Sequence, residues 1–303
     1  MPVRPKVSIG MPVYNREPYI RAVLDAVLGQ TYTDFELIIS DNASTDKTEA
    51  ICREYAARDS RIRYVRNATN LGLAGNYNAV FRLAVGEYFR WVAGDDLCAS
   101  ESLAACAEVL DQHPDVVLCY PKTGIIDAEG TYQGSYDDNL HLTDSRSSDR
   151  FIRAFRQIGL VNIHFGLMRS SVLRQTCLYH PGPGGDYAFI YELALHGKFV
   201  EIPRELFYRR LHAGSSWMIS KTSVKAIQEY LDPGRAGHNW YWWPLYGQFF
   251  GACMRPPLPL AERLRVFGFL VRSMISSRDV LMFELVRSQR RQKDVTASLI
   301  GQK

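Results

Sequence analysis

The sequence predicts an α/β fold, with a mostly parallel central sheet flanked by helices and a helical extension at the C-terminus. Three observations predict it. Short apolar, β-prone runs alternate with segments of helical spacing from residue 6 to residue 120. Acidic and turn-forming residues stand at the carboxyl ends of those runs, where open α/β sheets place their ligand crevices. After residue 220 the strand-like runs give way to aromatic and basic residues in helical patterns.

Taken in order, residues 6–12 read as a first buried strand. Residues 16–29 read as a helix, with Ile20, Val23, Leu24, Val27 and Leu28 on one face. Residues 35–39 form a second strand, and residues 44–46 can cap a helix over 46–58, with Glu49 at capping-box distance from Asp46. Strand 61–65, helix 73–84, strand 87–92, helix 100–110 and strand 116–120 follow. That order argues parallel strands joined by covering helices. Residues 131–149 are polar and read as a long surface loop. Helix 150–158 and a short strand at 166–168 come next. A glycine-rich turn at 182–186 then opens a helix over 187–195, followed by two strands at 199–202 and 206–210. Helix 221–231 and one or two amphipathic helices over 260–291 complete the chain. The division expected is a core domain over 1–220, with halves 1–120 and 121–220, and an extension over 221–303.

With 303 residues, 47% of them hydrophobic, the chain can bury a substantial core. None of the six cysteines falls in a CxxC pair, so they read as small buried hydrophobes. Residues 253–303 carry a net charge of +6, which leaves the rest near −2. The N-terminal residues have no apolar signal core, and no run reaches the roughly 18 apolar residues of a membrane span. The expectation is a cytoplasmic protein whose basic extension suits peripheral contact with the inner face of a membrane. The aromatic cluster at Trp240, Tyr241, Trp242, Trp243, Tyr246, Phe249 and Phe250 suits packing onto the core, a homodimer interface or that same surface.

The strand-end residues carry the chemistry. Asp41 ends the second strand, where a carboxylate accepts from a ribose hydroxyl or a base N–H; a turn before the next helix is the plainer reading. Pro12 and Tyr14 after the first strand can wall a base. Asn70, in Asn70-Leu71-Gly72, marks a turn close to a ligand. Asp95 and Asp96 end the fourth strand, and such a pair makes sense with a divalent cation between it and an anionic substrate. Asp186 opens a helix after glycines and suits a general base, or merely a cap. Arg209 and Arg210 can neutralise a diphosphate, His212 can complete a metal shell or bind that diphosphate, and His164 is a weaker candidate for an acceptor site.

These motifs resemble those of an inverting family 2 glycosyltransferase with the Rossmann-like GT-A fold. The order is similar: Pro12-Val13-Tyr14-Asn15, then Ser40-Asp41-Asn42-Ala43-Ser44-Thr45-Asp46, then Asn70-Leu71-Gly72, then Gly86-Glu87-Tyr88 leading to Asp95-Asp96. The resemblance is strong over residues 5–110 and looser through Asp186 and His212. It implies that Asp41 binds the donor base, Asp95 faces the ribose, Asp96 holds Mg2+ or Mn2+, Asp186 is the catalytic base and His212 ligates metal or diphosphate. The donor implied is a nucleoside-diphosphate sugar, a UDP-sugar by preference. The acceptor is a glycan, a lipid-linked or a small-molecule hydroxyl. The sequence departs from the family twice. Ala93 replaces the first acid of an Asp-x-Asp-Asp motif, and Gly185 replaces the glutamate of Glu-Asp.

Alternatives stand beside this reading. A non-catalytic nucleotide-sugar-binding protein would keep Asp41 and Asp95 but need neither Asp186 nor His212. A sugar nucleotidyltransferase should carry a Gly-rich basic loop after its first strand, and residues 11–17 do not. No GxGxxG follows an early strand, which argues against a dinucleotide-binding dehydrogenase. The basic charge lacks a recognition motif, so nucleic acid is not an expected partner.

Overall fold

The computed structural model describes residues 4–182, 184–215, 218, 219, 231 and 242–286. Its centre is a nine-stranded sheet in the order β3-β2-β1-β4-β8-β6-β9-β5, with β7 paired to β6. β1 (Val7–Val13), β2 (Phe35–Asp41), β3 (Ile62–Arg66) and β4 (Tyr88–Trp91) are mutually parallel, as the alternating pattern predicts. Three helices connect them: α1 (Ile20–Leu28), α2 (Thr48–Arg58) and α3 (Gly72–Arg82). β5 (Leu97–Cys98) and α4 (Ser102–Gln112) follow.

β1 is buried along its whole length, because a central parallel strand is covered on both faces. Val7, Ile9, Met11 and Val13 pack with α1, α2 and α4 in one apolar layer. The opposite layer takes Ala74, Val80 and Phe81 of α3, together with the later helices. Gly10 lies on that side, where an added Cβ would come within 2.5 Å of the Phe89 ring.

Several expectations need correction. β6 (Val116–Ile126) runs well past residue 120, and the stretch read as a surface loop returns as β7 (Tyr132–Tyr136). Leu140 and Leu142 are fully buried, and Leu142 bridges to Phe199. Composition misled here: the polar residues of this stretch mask two anchors that tertiary contact buries. The two late strands are one, β9 (Lys198–Arg210), because β6 lies alongside it in parallel and the register shifts at Pro121–Lys122 absorb the interruption. Asp46 does not form a capping box. Its carboxylate accepts from the backbone N–H groups of Thr48 and Glu17, each at 3.0 Å. Glu49 turns instead to Arg53 and Arg66.

The second half of the core comes from α5 (Ser147–Gln157), a 3-10 turn (Asn162–Phe165), β8 (Leu167–Arg169), the short α6 (Ser170–Leu173) and α7 (Gly185–His196). Nine residues of α7 are buried, so it is a core helix, apolar all round, held from every side. A later helix, α8 (Trp242–Met254), closes over it, and α9 (Leu260–Ser276) packs on α8 and α5. Tyr246 and Phe249 are buried, with the Phe249 ring 5.2 Å from Tyr191 and 5.5 Å from Phe155. Core packing is thus the role of the inner aromatics, while Trp240, Tyr241 and most of the predicted helix 221–231 lie outside the described residues. Buried Glu192 of α7 takes a two-pronged pair from Arg255, which ties the end of α8 to the helix that carries Asp186 in its first turn.

Candidate active site

The loops after β1, β2 and β4 and the carboxyl end of β9 meet at one edge of the sheet. The first two are laced together. Asn15, at φ 51°, donates its N–H to Ser44 Oγ at 3.0 Å, and its side-chain oxygen accepts from Thr45 N–H at 2.8 Å. Asp41 sits buried at the end of β2. Its Oδ2 accepts from Tyr64 Oη and from the Arg66 guanidinium, each at 2.7 Å, and its Oδ1 accepts from Ser44 N–H at 2.9 Å. Asn42 holds the next turn by donating to Asn70 Oδ1 at 2.7 Å. Gly72, at φ 73°, supplies the left-handed conformation that this turn requires.

Asp95 and Asp96 follow β4, both nearly buried. Asp95 Oδ2 lies 3.0 Å from His212 Nε2 and 3.3 Å from Arg16 Nε. Gly94 makes room for Arg16, whose Cγ would lie 2.9 Å from a Cβ at that position. Gly214 N–H donates to His212 Nδ1 at 3.2 Å, which places the imidazole proton on Nε2 and directs it at Asp95. The Tyr19 ring packs 4.8 Å from the imidazole. Burial works against the Asp95 carboxylate, but the His212 hydrogen bond and the Arg16 charge hold its pKa below the ordinary value. Asp96 goes the other way: burial first, then the neighbouring Asp95 charge, push it up to about 7. Its Oδ1 accepts from Arg210 N–H at 2.8 Å.

Arg209 and Arg210 part company because successive side chains of a strand face opposite ways. Arg209 lies where its charge acts on Asp95, Asp96 and Asp186 together. Arg210 is buried, and its guanidinium donates to the carbonyls of Asp95, Asp127 and Ala128 at 2.9, 3.1 and 3.0 Å. Through these contacts it fastens β9 to the end of β4. Pro12 is likewise buried inside β1, so of the expected wall only Tyr14 is exposed.

Asp186 lies in the first turn of α7, whose cap is Gly184 at φ 80°, so the carboxylate is not the cap. It is half-buried, and desolvation raises its pKa against the opposing Tyr187 N–H bond of 2.9 Å. The departure at Gly185 has a steric cause, since a Cβ there would run into the His180 carbonyl. Ala93, at the other departure, packs against the apolar layer. Both ring nitrogens of His164 are buried and have no hydrogen-bond partner among the described residues. Burial and the Arg209 charge lower its pKa to about 3, so it stays neutral.

Four residues that the strand-end reading passed over complete the site. Arg16 and Tyr19 stand just after the first strand's motif, and their sequence position was the available signal. Asp138 and Asn162 gave none. Asn162 accepts from Arg209 Nη1 and donates to Asp138 Oδ2 at 3.4 Å, while Thr123 Oγ1 lies 3.4 Å from the same oxygen. Burial raises Asp138 to about 7. This chain of contacts orients Arg209 from behind.

A divalent cation finds part of a donor set here. Among the described residues no three His, Cys, Asp or Glu side chains converge to hold an ion by themselves. Mg2+ or Mn2+ typically takes one or two carboxylates, with waters and substrate phosphates supplying the rest. Asp96 fits that role, because burial and the Asp95 charge disfavour its ionised form and a nearby cation would offset both effects by stabilising the carboxylate. His212, as bonded here, offers an N–H rather than a lone pair.

The sequence matches the profile of Glycosyl transferase family 2 over residues 8–176. It is 29% identical over 231 residues to the uncharacterized protein Rv1520 of Mycobacterium tuberculosis, covering 74% of this chain and 64% of that one. The chain therefore spans somewhat under two thirds of the length of such relatives. The fold is similar to that of S. aureus TarS 1-349 in complex with UDP-GlcNAc, with a TM-score of 0.65 at 18% identity, over 89% of this chain and 73% of that one. It is also similar to the mannosyltransferase PcManGT from Pyrobaculum calidifontis in complex with GDP-Man and Mn2+, with a TM-score of 0.54 at 17% identity, over 93% and 81%.

Proposed function

The chain belongs to Glycosyl transferase family 2 and has the GT-A-like fold of a nucleotide-sugar-dependent enzyme, and on that premise we propose an inverting transfer from a nucleoside-diphosphate sugar to an acceptor hydroxyl, with Asp186 as general base. One observation carries the reading. Asp95, Asp96, Arg16, Arg209 and His212 converge at the carboxyl edge of β4, on the sheet edge where Asp41 ends β2.

Asp41 and Tyr14 hold the base, and Asp95, fixed by His212 and Arg16, accepts from the ribose. Arg209 faces the diphosphate and offsets the charge that builds on it. Asp96 would hold a divalent ion, which would supply further neutralisation of the diphosphate charge. The acceptor oxygen attacks the anomeric carbon as Asp186 takes its proton. The bond to the diphosphate oxygen breaks, and the electron pair leaves with the diphosphate. Burial at Asp186 favours this, since a raised pKa makes the carboxylate a better base. The donor is a UDP-sugar by preference, on the fold-level analogy with the UDP-GlcNAc complex. A glycan or lipid-linked hydroxyl is the acceptor, in surface polysaccharide or glycolipid synthesis.

Calorimetry with UDP, GDP and TDP, each with Mn2+ and with EDTA, tests the reading. One nucleotide should bind in a metal-dependent way. Failure of all three to bind to folded protein overturns it. Asn162→Ala provides a second test. Arg209 then loses its anchor, and the donor KM should rise about tenfold, the scale of one hydrogen bond to a charged group. An unchanged KM would leave Arg209 without a role at the diphosphate.

A further inference from the structure

α9 carries two apolar rows. Val266 and Leu270 are fully buried, and Met274 packs beside them against the core. A second row points away. Leu260 is 70% exposed, Leu264 62% and Ile275 57%, with Val271 between them. Their spacing of four, seven and four residues keeps all four side chains within an arc of about 60° at roughly 100° per residue. The chain is helical again over residues 278–286, where Met282 is exposed and Phe283 is 65% exposed. A helix that packs on its own domain needs one apolar stripe; a long second stripe facing solvent marks a surface made to be covered.

Charge decides what covers it. Arg272 and Arg278 are exposed on this stretch, and Asp279 is the exposed acid there. Beyond residue 286 the sequence adds Arg287, Arg290, Arg291, Lys293 and Lys303 against Asp294. Apolar side chains flanked by cations match a bilayer surface with anionic headgroups, where the row enters the acyl boundary and the arginines meet phosphate. Pairing with a second copy would bring the same cations together and is disfavoured. No helix among the described residues is long and apolar enough to cross a membrane, which agrees with a helix lying along the surface.

We propose that the outer face of α9 and of residues 278–286 is a docking surface for an anionic lipid bilayer. This reading is independent of the transfer reaction, since none of its residues belongs to the candidate active site. The test is flotation of the full chain with vesicles of phosphatidylcholine alone and of phosphatidylcholine with phosphatidylglycerol. The protein should float with the anionic vesicles, and binding to the neutral ones should be weaker by at least about tenfold. The double substitution Leu264→Glu, Ile275→Glu should lower binding by more than about tenfold. Its circular dichroism and thermal midpoint should stay unchanged, because both side chains already face solvent. Three outcomes overturn the proposal: no flotation of the unsubstituted chain, equal flotation of the substituted one, or a dimer in sedimentation analysis that the same substitutions dissociate.

Discussion

Asp186→Asn should lower kcat by about 100- to 10,000-fold, the range associated with loss of a general base. The donor-nucleotide Kd should hold within about twofold, because an unchanged ground-state contact separates a proton acceptor from a binding group. The substitution is mild. Asparagine keeps an oxygen for the Tyr187 N–H, and α7 is fixed by burial on all sides. The raised pKa of Asp186 adds a pH signature. A base works when unprotonated, so activity should fall as pH drops through a pKa that burial has raised from the ordinary aspartate value. That acid limb should be missing from the residual activity of the asparagine variant. Full activity in that variant would remove Asp186 from the mechanism.

Asp96→Ala should cost about 100- to 1000-fold in transfer, as when one preorganised stabiliser of developing charge is removed. It should also abolish the Mn2+ dependence of nucleotide binding. Because Asp96 accepts the Arg210 backbone N–H, the alanine variant leaves a buried donor unpaired, at about 1–3 kcal/mol of stability. Asp96→Asn keeps that acceptor and removes only the charge. If the role is charge at the metal and diphosphate, both variants lose metal dependence and the asparagine variant keeps its thermal midpoint. Retention of a full metal response in both would exclude Asp96 as a ligand.

The parallel half of the sheet, the place of Asp41 at the end of β2 and that of Asp95 and Asp96 in the loop after β4 are legible in the amino-acid order. Those features are local: the period of apolar residues sets strand or helix, and turn chemistry sets where each strand stops. It also exposed Asp186 at a helix start. Tertiary structure decided the rest. Which of Arg209 and Arg210 faces the site depends on the register and sheet neighbours of β9, which alternation alone does not orient. The bond between His212 and Asp95 joins residues 117 apart in the chain. Asp138 looked like part of a polar loop until β6 and β7 paired and buried it. Burial and partners at long range set the charge state of a carboxylate, so the opposite pKa shifts of Asp95 and Asp96, adjacent in sequence, became legible only once the chain had folded around them.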